Sequence, residues 1–165
     1  MSVEDPRRKP FHFTAAGYVV SGDKVLLVSH RKLKKWLPPG GHMVCDEAGR
    51  FLESPEEAAI REVGEETGFD VEICGEIYSK HDDDHEMLLI PESMHIHPID
   101  EEHDHYGFDF FCRVKGRKTG EKEEEKSRWF TLHELESYPD DATVKLPEHV
   151  RVMAIKAIEK NSCDT

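Results

Sequence analysis

The chain has only four cysteines, Cys45, Cys74, Cys112 and Cys163, and no two of them share a CxxC spacing. That absence argues against a zinc knuckle or a dithiol redox motif and leaves reduced, individually placed thiols as the expectation. Cys74 and Cys112 lie in strand-like stretches and are expected as small core residues. Long apolar runs are missing too: "VLLV" and "MLLI" fall far short of the roughly 20 residues needed to cross a bilayer, so no membrane partner is expected. The opening "MSVEDPRRKPFHF" holds no apolar h-region of a secretory signal, and the expected location is cytoplasmic. Cations are scarce. Lys and Arg number 22 against 35 Asp and Glu, and the resulting net charge of −13 opposes a nucleic-acid polymer as partner. A small anionic ligand stays compatible with that charge, through a metal and a few local cations. There is neither an internal repeat of solenoid length nor a low-complexity linker.

What is present fits one domain over residues 1–165, with 37% apolar residues for a core and 35% charged residues for a solvated surface. "FHFTAAGYVV" (11–20) and "KVLLVSH" (24–30) read as two strands joined by a hairpin turn at Gly22 and Asp23. "RKLKKWLPPGG" (31–41) reads as a basic loop. "FDVEICGEIYS" (69–79) and "YGFDFFCRV" (106–114) read as strands, the second with Phe108, Phe110 and Cys112 on one face. Residues 115–127 suit a solvated hairpin loop. Thr131 and Glu134 form a capping-box pattern after a short strand at "RWF". Val150, Met153, Ala154, Ala157 and Ile158 then recur at the spacing of an amphipathic helix. Strands mixed with two good helices, without βαβ alternation, predict an α+β fold in which helices cover a mixed sheet.

The segment "ESPEEAAIREVGEETGF" (53–69) is the most informative. Ser54, Pro55 and Glu57 read as a capped helix start and Gly68 as its stop. Ala59, Ile60, Val63 and Thr67 gather on one arc, and Glu62, Glu65 and Glu66 on a neighbouring one. Like charges three and four residues apart repel by roughly 0.2–0.5 kcal/mol per pair. This stripe has no lysine partners, and a bound divalent cation would remove the cost. Hard cations prefer such oxygen donors, with magnesium taking one or two carboxylates plus phosphate oxygens.

The same residues resemble the Nudix hydrolase family. Its pattern runs Gly, five residues, Glu, seven residues, then Arg-Glu-apolar-x-Glu-Glu-x-Gly-apolar. Glu53, Arg61, Glu62, Val63, Glu65, Glu66, Gly68 and Phe69 match the second part without a gap, and "KKWLPPGG" and "SRWFTLHEL" also resemble family members. One departure stands out: eleven residues, His42 to Leu52, separate Gly41 from Glu53. An insertion of about six residues accounts for them, since loops absorb length at small entropic cost. "VCDEAGRF" (44–51) is expected to bulge out and bring Asp46 and Glu47 near the mouth of the site, as extra ligands or as solvated loop residues.

The resemblance implies an α/β/α sandwich and metal-dependent hydrolysis of a pyrophosphate bond in a nucleoside diphosphate linked to another moiety. A nucleotide sugar, a dinucleotide and a nucleoside triphosphate all stay open. It implies Mg²⁺ or Mn²⁺ on Glu62, Glu65 and Glu66, with Glu62 and Glu66 the principal ligands and Glu65 a third ligand or the base. Arg61 pairs with Glu53 and fixes the carboxylate face. Gly40 and Gly41 line the substrate site, with a backbone carbonyl near Gly41 on the metal. Arg31 or Lys35 reaches the phosphates, and Trp36 stacks on a base or packs the loop. A homodimer is the family-level expectation. A Nudix-fold sensor that binds without cleaving is the alternative, although its glutamates would be dispensable.

Six of the eleven histidines, His81, His85, His95, His97, His103 and His105, fall between residues 81 and 105. Where "HIH" or "HDH" is extended, alternate residues point the same way and each pair could ligate one metal. A polar loop without specific role and contacts to substrate are the other readings. Glu101, Glu102 and Asp104 are candidate bases by family analogy.

Overall fold

The computed structural model describes residues 10–76, 87–99, 101, 103–117 and 126–163. The first two strands form where expected: β1 spans Phe11–Ser21 and β2 Lys24–His30, closing as an antiparallel hairpin with Ser21 opposite Lys24. Gly22 takes φ 61°, the left-handed conformation a two-residue turn requires and a side chain resists.

The basic segment is more ordered than a loop. It carries β3 (Lys35–Leu37), paired with β2, and β4 (Gly40–His42), paired with β1. Helix α1 spans Pro55–Thr67 and β5 Phe69–Cys74. The strand expected over 69–79 ends at Cys74, before Gly75 and Glu76. Strand β6 (Ser93–Pro98) takes over that edge of β7 (Asp104–Arg117) from Asp109 toward Asp104, leaving β5 only the part beyond Phe111. Residues 77–79 themselves lie outside the described set. So do His81, His85, Glu102 and most of the 115–127 loop. Strand β8 (Lys126–Thr131) pairs with β2 and leads into α2 (Leu132–Glu136), capped by Thr131 and Glu134 as the pattern predicts. Helix α3 spans Glu148–Cys163.

The eight strands among the described residues belong to one mixed sheet whose central path runs β3-β2-β1-β7-β5; the β1–β7 pair is parallel and the other pairs are antiparallel. Period-two alternation gives each strand two faces. On β1, Ala15 and Val19 meet the α1 side, where Ala58, Ala59, Val63, Phe110 and Cys112 are buried with them. Tyr18 and Val20 meet the α3 side with Phe111, Phe130, Val150, Ala154 and Ala157. Helices therefore cover both faces, and the sandwich expected from the sequence is the one observed. Cys112 is a buried core residue as expected, whereas Cys74 is only half-buried. Among the described residues no helix is long and apolar enough to cross a membrane.

Candidate active site

Helix α1 is held at both ends and along one face. Ser54 Oγ accepts from Glu57 N at 3.3 Å while Glu57 Oε2 accepts from Ser54 N at 2.8 Å, and Gly68 ends the helix at φ 70°. Val63 is fully buried against β1 at Gly17, where an added Cβ would come within 2.8 Å of Val63 Cγ2. Burying one valine is worth about 1.5–3 kcal/mol, more than the carboxylate stripe loses to its own repulsion. The apolar face thus fixes where the acidic face points.

Arg61 organises that acidic face. Its Nε and Nη2 donate to the two Glu53 oxygens at 2.9 and 2.7 Å. Nη1 donates to Glu62 at 2.7 Å and to Glu65 at 3.2 Å, and Nη2 also reaches the His42 carbonyl at 3.0 Å. Glu53 accepts a further bond from Val44 N at 2.7 Å. The Arg61 guanidinium, before any other influence, holds the Glu53 carboxyl below the usual carboxylate range. Glu62 is different: burial, only partly offset by Arg61, pushes its carboxyl up. Three carboxylates share a single guanidinium, and the most buried ones carry charge that one cation does not balance.

The other wall is the β4 backbone. Gly40 N donates to Glu66 Oε2 at 3.2 Å, and a Cβ on Gly41 would lie 2.6 Å from the Glu62 carboxyl carbon. Gly41 therefore abuts the carboxylate face in spite of the eleven residues that separate it from Glu53. Those residues fold back as a small hairpin, with Leu52 N donating to the Val44 carbonyl at 2.9 Å. Asp46 is used inside that hairpin: it accepts from Ala48 N and Arg50 N, both at 2.9 Å, and pairs with the Arg50 side chain at 2.7 Å. Glu47 is exposed. Of the two roles expected for this loop, the solvated one describes the geometry.

The structure brings Glu53, Arg61, Glu62, Glu65, Glu66, Gly40 and Gly41 together, and the all-oxygen donor chemistry of Glu62, Glu65 and Glu66 suits a hard divalent cation. Arg31 stands in the turn between β2 and β3, and Lys35 opens β3 at the sheet edge. Of the two roles expected for Trp36, packing describes the geometry and stacking on a base does not. Trp36 is 6% exposed within the α3-side core, edge-on to Phe130, with Nε1 donating to Tyr138 Oη at 2.8 Å, so no ring face is open to a base.

A polar region that the sequence reading did not assemble lies on the α3 side of the sheet. Asp109, only 5% exposed, pairs with His95 Nδ1 at 3.4 Å, and this pairing pushes the His95 pKa up. A Cβ on Gly107 would lie 2.5 Å from the His95 ring, so that ring lies directly across the β7 backbone. Tyr18 is shifted well upward, first by burial and then by the Asp109 charge. His97 stacks on His95 with ring centroids 5.2 Å apart, and burial lowers both His97 and His149. His12, His42, His103 and His105 continue the patch. The only sequence signal for Asp109 was a lone acid in an otherwise apolar strand. Of the candidate bases, Glu101 is exposed and Asp104 opens β7.

A family model described as NUDIX domain matches residues 10–149. Among solved structures, a NUDIX-family hydrolase from Clostridium perfringens is 29% identical with a TM-score of 0.70, covering 91% of this chain and 97% of its own. A UDP-X diphosphatase aligns at 16% identity and a TM-score of 0.59 over 93% of this chain and 64% of that one. An ADP-ribose pyrophosphatase from Streptococcus suis aligns at 20% identity and a TM-score of 0.50 over 92% and 91%. At those identities the last two likenesses concern the fold alone. No curated protein matches the chain.

Proposed function

The chain belongs to the NUDIX domain family and is a hydrolase acting on pyrophosphate bonds, and from that premise we propose that its substrate is a nucleoside diphosphate linked to another moiety, cleaved with Mg²⁺ or Mn²⁺ held by Glu62, Glu65 and Glu66. The observation that carries this reading is the unbalanced charge at one guanidinium: Glu53, Glu62 and Glu65 all bond to Arg61, while Glu62 is desolvated enough for its proton affinity to rise. Bound Mg²⁺ or Mn²⁺ would supply attraction for the diphosphate oxygens and a more acidic water.

The chain's own residues supply the positioning. Arg61 keeps Glu53 at a fixed angle, because a bidentate guanidinium–carboxylate pair restricts rotation as well as distance, and ties Glu62 to the same guanidinium through one Nη1 bond. Glu53 bonds to Arg61 and Val44 N and acts as a positioning residue. Gly40 N–H orients Glu66, and the bare Gly41 backbone leaves room for Glu62. Glu65 is the most solvent-exposed of the Arg61-bound carboxylates, at 51%; with Glu62 and Glu66 as the principal ligands, it is either the third ligand or the base that takes a proton from water as that water attacks phosphorus and the bridging P–O bond breaks.

A hydrolysis screen over nucleotide sugars, dinucleotides and nucleoside triphosphates, with and without Mg²⁺ or Mn²⁺, tests the reading. Metal-dependent release of a nucleoside monophosphate or of pyrophosphate is expected from the native enzyme and not from Glu66→Gln. Equal turnover by the variant would reject the site assignment.

A further inference from the structure

We propose that His12, His103 and His105 form a second metal site, for a transition-metal dication of the zinc class, separate from the carboxylates of α1. One nitrogen from each of these imidazoles lies within 4.8 Å of the others. Ligand nitrogens on a tetrahedral zinc with bonds of roughly 2.1 Å stand about 3.3 Å apart, so an inward adjustment of somewhat under about 1 Å per ring would close the set.

The backbone explains why these three meet. His12 and His105 are direct neighbours in the parallel pairing of β1 with β7 and therefore share a face of the sheet. His103 sits two residues before His105, with its ring centroid 4.9 Å from that of His12. A fourth imidazole is at hand: His42 Nε2 lies 3.0 Å from His105 Nε2, close to the roughly 3.3 Å between ligands of a tetrahedral zinc. Three histidines with an open fourth position are a zinc arrangement.

Donor chemistry keeps the two sites apart. Magnesium seeks oxygen and retains water, whereas imidazole nitrogen suits zinc, copper, nickel and iron. An ion at this point would clip the start of β1 to the start of β7. It would also border β4, because the His42 ring meets His105 there.

The test uses the full chain, stripped with EDTA and dialysed, then titrated with Zn²⁺ against a chromophoric chelator and with Co²⁺ for its visible absorption. One equivalent of Zn²⁺ with a dissociation constant of about 1 μM or tighter is expected, together with a rise in thermal midpoint. Losing a ligand should weaken binding by roughly tenfold or more in His103→Ala and His105→Ala. His12 is exposed, so His12→Ala provides a variant whose fold is not in question. The Glu62→Gln, Glu66→Gln double variant should keep the zinc and the cobalt bands. Absence of stoichiometric zinc in the native chain, zinc retained by all three histidine variants, or zinc lost with the glutamates would each overturn the proposal. None of these readouts depends on hydrolysis, so the histidine site and the hydrolytic reading fail separately.

Discussion

Two adjacent glycines answer differently to one added methyl group. At Gly40 a Cβ would lie 2.5 Å from the Ala15 carbonyl oxygen and 2.7 Å from the Ala16 Cα, both on the central strand, and backbone there cannot give way cheaply. At Gly41 the nearest atoms are the Glu62 carboxyl group, the far end of a flexible side chain. Gly41→Ala should therefore fold with a thermal midpoint near that of the native protein, while the displaced Glu62 loses its angle to Arg61. A fall of about tenfold or more in kcat/KM, worth about 1.4 kcal/mol in the barrier, is expected. Gly40→Ala should instead show its main loss in thermal unfolding. Melting curves and steady-state kinetics on the pair separate the two effects; equal destabilisation by both would mean that Glu62 does not rest on Gly41.

At the scale of the element, α1 carries its own start and stop signals, and they act locally. Removing the Ser54 hydroxyl exposes the Glu57 N–H and breaks one half of a reciprocal pair, so Ser54→Ala should cost about 1 kcal/mol of stability in urea unfolding. Because Val63 and Ala59 still dock the helix, kcat should change little; a large kcat loss would mean that fraying reaches Arg61. Local chemistry of this kind explains what was legible. The caps of α1, the turn at Gly22, the capping box of α2 and the buried stripe of α3 all follow from neighbours within a few residues. Strands β3, β4 and β6 were hidden because each is short and gains its reason to exist from a distant partner. In β6 the usual pattern is inverted: Met94 and Ile96 are 70% and 59% exposed, while His95 and His97 face the covered side. The acidic part of the site lay within one helix and could be read. Of the imidazole patch, spread over β1, β4, β6, β7 and the start of α3, only the His95/His97 and His103/His105 pairs could be read; their meeting with His12, His42 and His149 could not.

For the whole molecule, that patch sets the response to acid. His42, His97, His105 and His149 all have pKa values lowered from the 6.5 of a free histidine, each mainly through burial, and His105 falls to about 4. Among the described histidines with a shifted pKa, His95 alone is raised, by Asp109. Below about pH 6.5 the unfolded chain takes up protons at the four lowered positions that the folded chain refuses, so stability falls as pH falls. His95 works the other way, adding stability as it protonates, but it is one group against four. Charge density sharpens the effect, since His42, His103, His12 and His97 surround His105 and every proton added raises the cost of the next. In EDTA the thermal midpoint is expected to decline steadily from pH 7 to pH 5, before carboxylates titrate in earnest. His105→Phe should flatten that decline, because it removes the most strongly shifted ring while keeping an aromatic body in place. A midpoint that holds constant over this range, or a decline that His105→Phe leaves unchanged, would show that the rings are solvated well enough to take their protons one by one without opposing the fold.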